Sequence, residues 1–259
     1  MVDAPEEVWV LGVRVHRLRA EEVVAHLDRL AAEGGPLQVV TVNPEFVMEA
    51  RRNRAFREVL NAAALSLPDG YGIVWASRML GHPVPERVAG VDTMQRMCAW
   101  AAQKGWPIFL LGARPGVAER AAATLVTEHR DLVVAGCYAG SPDPREEDDL
   151  VARVNRSGAR LLFVAYGAPR QDLWIARNLP RLQVAVAMGV GGAFDFIAGV
   201  VPRAPLWMQE RGLEWLYRLV RQPWRWRRMS ALPRFAALVL WERVRRGRGG
   251  GASGGTHGR

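Results

Sequence analysis

Seven short apolar runs, each separated from the next by a stretch with helical patterning, constrain this chain more than any other feature. The runs lie at 8–11, 37–42, 64–67, 108–111, 132–135, 161–165 and 184–187. Helical patterns occupy 20–32, 44–61, 72–80, 92–103, 115–130, 145–156 and 169–178. Most of the runs are continuously apolar rather than alternating, as expected of strands buried on both faces. Strands joined through helices must run parallel, and the helices must cover the sheet. The sequence therefore predicts an α/β fold, a mostly parallel Rossmann-like sheet flanked by helices. With 259 residues, 49% of them apolar, the chain can bury one sizeable core.

Ligands of such sheets bind outside the carboxyl ends of the strands. Four loops there carry unusual chemistry: Thr41-Val42-Asn43-Pro44, Pro68-Asp69-Gly70, Gly112-Ala113-Arg114-Pro115-Gly116 and Tyr166-Gly167-Ala168-Pro169-Arg170-Gln171. In a parallel sheet Thr41, Asn43, Asp69, Arg114 and Gln171 emerge along one edge, which implies a single polar cleft. Each loop also has a purely structural reading. Asn-Pro is a helix start, with Asn as N-cap and Pro at the first helical position, and Pro-Asp-Gly is a turn. Their shared edge favours function, and helix N-termini there suit an anionic phosphate.

Other signatures are missing. There is no G-x-x-x-x-G-K-[ST] loop, and no G-x-G-x-x-G follows the first strand. Gly189-Val190-Gly191-Gly192 follows the last strand and reads as backbone freedom or close ligand approach. No G-x-S-x-G elbow joins a strand to a helix, and there is no H-x-x-x-H or C-x-x-C spacing and no Asp-x-Asp pair. Neither a metal nor a cofactor is expected. Two cysteines, Cys98 and Cys137, make no disulfide framework and fit a reduced compartment.

Charge divides the chain unevenly. Residues 203–259 hold 13 Lys+Arg against 3 Asp+Glu, whereas residues 1–202 hold 22 against 23. Five of the ten tryptophans, Trp207, Trp215, Trp224, Trp226 and Trp241, lie in the basic segment among its arginines. Indole at headgroup level and guanidinium against phosphate suit an anionic membrane surface. Single-stranded nucleic acid is the rival anion. No apolar run reaches the roughly 20 residues that cross a bilayer, so membrane contact is expected at the surface.

Arg211, Glu214, Arg218 and Arg221 share one helical face before Pro223, and a second amphipathic stretch covers 233–246. The expected organisation is an α/β body at 1–202, a basic Trp-rich helical appendage at 203–246 and a disordered Gly-rich tail at 247–259. The appendage's apolar side buries itself on the body, in lipid, or against a second subunit of a homo-oligomer. The N-terminus lacks the basic and apolar regions of a secretory signal. The expected location is cytoplasmic, peripheral on the inner face of the cell membrane.

The stretches TVNPEFVMEARRN, LPDGYGIVWASRMLGHPVPERVAGVD, YGAPRQDLWIARN and RAPLWMQERGLEWLYRLVRQPWRWRR resemble, in this order, the motifs of the WecG/TagA/CpsF glycosyltransferases. Asp172 departs from the pattern, since the family usually has Glu after the Gln. The resemblance implies an inverting, metal-independent hexosyltransferase acting from a UDP-sugar on a polyprenyl-diphosphate-linked sugar, in surface-polysaccharide or teichoic-acid synthesis. N-acetylmannosamine is the donor sugar of its best-known members. It assigns the catalytic Asp to Asp69, polar substrate contacts to Thr41, Asn43, Arg87 and Gln171, and the appendage arginines to Arg218, Arg225 and Arg228.

The residue types suit that chemistry. A carboxylate can take the acceptor hydroxyl's proton opposite the leaving nucleotide, and fixed guanidiniums and backbone N–H groups can stabilise the departing diphosphate. On this view the tail docks over the cleft where it meets bilayer, so membrane contact completes the site. The alternative is a nucleic-acid-binding protein acting through its basic aromatic tail, for which Asp69 is irrelevant. A nicotinamide-dependent oxidoreductase is weakened by the missing dinucleotide loop.

Overall fold

Six strands form one all-parallel sheet in the computed structural model, which describes residues 5–202, 204–205, 207–208, 216–217, 220, 226 and 230–249. The strands are β3 (Leu37–Val42), β4 (Leu65–Pro68), β5 (Ile108–Gly112), β6 (Val134–Tyr138), β7 (Leu161–Ala165) and β8 (Val186–Gly189). Their order across the sheet is β4-β3-β8-β7-β5-β6. The central strands are buried on both faces, and their side chains alternate between two cores as the pleat requires. Val39, Ile108, Leu110, Leu161, Phe163, Val186 and Met188 enter one core with α1 (Glu22–Glu33), α5 (Gly90–Lys104), α6 (Val117–Glu128) and α9 (Ala193–Ile197). On the other face Phe109, Leu111, Leu162, Val164 and Ala187 pack against α7 (Glu147–Arg156) and α8 (Arg170–Asn178). Beside them, Val40 and Val42 pack against α2 (Pro44–Ala50), α3 (Arg54–Ala62) and α4 (Tyr71–Met79). The expected α/β class and parallel sheet are what the chain adopts.

Four local readings are corrected. The first apolar run is outside the main sheet: β1 (Glu7–Val10) pairs antiparallel with β2 (Val13–His16), which sequence reading missed. Leu11 and Gly12 turn this two-residue hairpin with positive φ at both positions, the twist that joins antiparallel strands. The helix expected over 44–61 is two helices, because Asn53 accepts the Phe56 N–H and caps α3 anew. Phe46 and Phe56, with ring centroids 5.3 Å apart, then seal the corner between them. The strands expected at 132–135 and 184–187 are each shifted toward the C-terminus, and a short helix, α9, follows Gly191-Gly192.

The second amphipathic stretch forms α10 (Ala231–Gly249). It packs on α2 and α4, with Phe235 and Val239 buried among the residues of the hairpin core. Leu240, Trp241 and Val244 stay exposed, and the Arg245 guanidinium lies 5.5 Å from the Trp241 ring centroid. No helix among the described residues is long and apolar enough to cross a membrane.

Candidate active site

The carboxyl ends of β3 and β4 are held level by their parallel register, Thr41 beside Leu67 and Val42 beside Pro68. The strand leading to Asp69 is braced from behind by His16, whose Nδ1 accepts the Ser66 N–H at 2.8 Å. Burial, helped by nearby Arg14, lowers the pKa of His16 to about 4, so this imidazole is a neutral strut. Asp69 follows β4 directly. Its own N–H donates to the Val42 carbonyl at 2.8 Å, and the Val88 N–H donates to the Pro68 carbonyl at 2.8 Å. Both polar groups of the peptide that leads into this carboxylate are therefore held.

The Val88 bond draws the segment after α4 back across the end of β4 and delivers Arg87 to the site. Its Nε stands 3.6 Å from Asp69 Oδ1, and both side chains are largely but not wholly shielded. Tyr71, at the start of α4, lies under the same guanidinium, 5.8 Å from ring centroid to Cζ. The segment itself is anchored at its start by Ser77, which accepts the Val84 N–H, and near its end by Glu86, which accepts the Ala20 N–H at 2.7 Å.

Gly90, the first residue of α5, closes the group. A Cβ there would stand 3.3 Å from Thr41 Cγ2, 3.6 Å from Thr41 Oγ1 and 3.8 Å from Asp69 Oδ2. Thr41 and Asp69 thus converge on Gly90, where a side chain would crowd the Thr41 methyl and press against the Asp69 carboxylate. Sequence reading missed this role of Gly90. Its one signal was the Ala-Gly step just after Arg87-Val88, ahead of a helical pattern.

Asn43 and Gln171 are also at this edge, with their side-chain oxygens already engaged. Asn43 is the N-cap of α2 and accepts the Phe46 N–H at 3.0 Å. Gln171 is 2% exposed, and its Oε1 accepts the N–H groups of both Gly167 and Gly191 at 3.0 Å. One carboxamide therefore ties the β7–α8 loop to the β8–α9 loop. A further bridge joins the end of β5 to α9, where Arg114 Nη2 lies 3.5 Å from Asp195 Oδ1. Thr41, Asn43, Asp69 and Arg87 are brought together, and Gln171 follows β7, three strands from β4 along the same edge. Arg218, Arg225 and Arg228 lie outside the described residues.

A buried carboxylate was not singled out as part of the site. Asp172 follows Gln171 in the first turn of α8 and is 0% exposed. Burial pushes it up to about 7, against the opposing pull of its own N–H and of the Gln171 side chain.

Known proteins are similar to this chain over most of its length. The model of the "Glycosyl transferase WecG/TagA/CpsF family" matches residues 8–249. The chain is 37% identical over 205 residues, 79% of each sequence, to an N-acetylglucosaminyldiphosphoundecaprenol N-acetyl-beta-D-mannosaminyltransferase of Bacillus subtilis (strain 168). It is 37% identical over 203 residues, 78% of each, to the protein of the same name in Bacillus spizizenii (strain W23). The match reaches into α10 and takes in every loop of the polar edge, so this chain belongs to the WecG/TagA/CpsF family of glycosyl transferases.

Proposed function

We propose that this chain is an inverting hexosyltransferase that moves N-acetylmannosamine from a UDP-sugar to N-acetylglucosamine on a polyprenyl diphosphate. The acceptor and the sugar follow the names of the relatives at 37% identity. The observation that carries the reading is the grouping of Asp69, Arg87 and Thr41 beside Gly90 at the carboxyl edge of the sheet. Asp69 is the base: an exposed edge of its carboxylate takes the proton from the acceptor hydroxyl as the oxygen attacks the anomeric carbon. The bond to the nucleotide diphosphate breaks on the opposite face, which inverts the configuration.

Arg87 aims the carboxylate, and the Thr41 hydroxyl is within reach of the same space. Negative charge accumulates on the departing diphosphate and needs fixed donors. Arg218, Arg225 and Arg228 of the appendage are the proposed source, brought over the cleft where the appendage meets the bilayer. The outer face of α10, with Leu240, Trp241 and Val244 exposed beside Arg243, Arg245 and Arg246, suits the boundary between headgroups and acyl chains. The protein is thus proposed to work as a peripheral protein on an anionic membrane face.

Incubation of the purified chain with a panel of UDP-hexoses and a polyprenyl-diphosphate-N-acetylglucosamine acceptor tests this. Transfer from UDP-N-acetylmannosamine, nearly abolished in Asp69→Asn, is expected. Undiminished transfer by Asp69→Asn removes Asp69 as base, and no transfer from any UDP-sugar removes the donor assignment.

A further inference from the structure

The mechanism above makes no use of Asp172, although it is the most deeply buried carboxyl at the carboxyl edge of the sheet. Its position is fixed from two sides. The Gln38 side chain on β3 donates from Nε2 to the Asp172 carbonyl at 3.0 Å. The Asp172 carboxyl itself faces Gly189, the last residue of β8: a Cβ on that glycine would come within 2.6 Å of Asp172 Oδ1 and 2.7 Å of Gln171 Nε2. The carboxyl and the carboxamide therefore converge on one bare stretch of backbone, immediately before the turn at 189–192 whose Gly191 N–H is held by Gln171 Oε1.

Among the described residues no charge balances this group, and neither carboxyl oxygen has a partner of hydrogen-bond geometry. Beside it lie the Gln171 side chain of its own helix and the glycine backbone that ends β8. The neighbouring cation on α8, Arg170, turns instead to the Tyr166 carbonyl. Burial is the largest influence on Asp172 and places its ionisation near neutrality. An anion here would sit in a poorly screened interior below the edge at which the strands of this sheet present ligands.

We propose that Asp172 is a positioning residue of the cleft, whose carboxyl fills the space between Gln171 and Gly189 and, while protonated, sets no negative charge beneath an anionic nucleotide substrate. Ionisation leaves the packing unchanged but adds repulsion, so it weakens binding of the nucleotide rather than the chemical step. This inference rests on the UDP-sugar reading. It reaches beyond that reading in giving the buried acid an electrostatic task and the enzyme an alkaline limit.

The test is UDP affinity, measured by calorimetry between about pH 6 and pH 8.5, for the full chain and for Asp172→Asn, an isosteric side chain that cannot ionise. UDP's own ionisation is common to both proteins and cancels. Wild-type affinity is expected to fall by about tenfold more than that of the variant, the effect of a one-unit pKa change on binding. In transfer assays the same difference is expected in donor KM and not in kcat. Should Asp172→Asn not fold, the wild type alone must show an ionisation near 7 in its affinity for a UDP-sugar, whose diphosphate diester has no ionisation of its own in that range. Identical pH dependence in the two proteins, or no such ionisation in the wild type, overturns the role of Asp172 and leaves the transferase reading standing. Absence of UDP binding by either protein at every pH overturns the donor assignment and the Asp172 inference with it.

Discussion

Arg87 and Asp69 meet at the carboxyl edge of the sheet, Nε to Oδ1 at 3.6 Å, although Arg87 belongs to the segment between α4 and α5 and Asp69 to the end of β4. In the proposed mechanism the guanidinium aims the carboxylate, and the Val88-to-Pro68 hydrogen bond holds the segment that carries Arg87. Aim and chemistry are thus separable by mutation. Asp69→Asn should lower kcat for sugar transfer by about 10²- to 10⁴-fold, the usual worth of a general base. Arg87→Ala should cost about 10²-fold, as a misaimed catalytic group does. Arg87→Lys should recover only part of that, because an ammonium keeps the charge and loses the planar fork. Initial rates with a saturating lipid acceptor read all three.

Gly72 marks the close approach of α4 to α2. A Cβ there would fall 2.4 Å from Cγ of Pro44, a ring that cannot rotate away. Gly to Ala inside a helix ordinarily stabilises by about 0.5–1 kcal/mol. Here the collision should reverse the sign, with Gly72→Ala destabilising by roughly 1–3 kcal/mol as overpacked cores do. Urea unfolding followed by circular dichroism gives the value. Because Pro44 follows Asn43 and Gly72 lies three residues beyond Asp69, transfer activity should fall as well.

Asp172 makes stability depend on pH with a definite sign. Its ionisation is near 3.8 in the unfolded chain and about 7 in the fold. A group whose folded pKa is raised contributes fully below the unfolded value, and that contribution is lost as pH rises through about 7. Asp172→Asn carries no such liability. Its melting temperature relative to wild type should therefore rise between about pH 4 and pH 8, by an amount corresponding to a few kcal/mol at most. A difference that stays constant over that range would contradict the burial of an ionisable group at this position.

The outer face of α10 should govern lipid binding and leave the fold alone. Trp241 and Val244 are exposed, whereas Phe235 and Val239 make the contact with the body. Replacing Trp241 by Ala together with Arg243 and Arg245 by Gln should weaken binding to vesicles containing anionic lipid by at least about tenfold, since each cation near such a surface contributes about 1 kcal/mol. The melting temperature should barely change. Phe235→Ala should do the reverse, loosening α10 at a cost of about 3–5 kcal/mol. Vesicle co-sedimentation at two salt concentrations distinguishes the charge contribution from that of the indole.

The layered α/β fold is legible in the order of residues alone, because continuous apolar runs separated by helical periodicity have few other ways to bury themselves. Motif order determined the family, and the strand-end loops already singled out Thr41, Asn43, Asp69 and Gln171. Local pattern was insufficient where two distant pieces had to agree. The β1–β2 hairpin was missed because its second strand shows as one only when paired, and the break between α2 and α3 because a capping asparagine looks like any helical surface residue until its side chain turns back. Tertiary packing brings Arg87 to Asp69, sets Gly90 beside Thr41 and Asp69, and commits the Gln171 oxygen to two loops. Burial decided the rest: an aspartate in the first turn of a helix reads as a solvated charge, and it became a buried acid because Gln38, Gly189 and α8 closed around it.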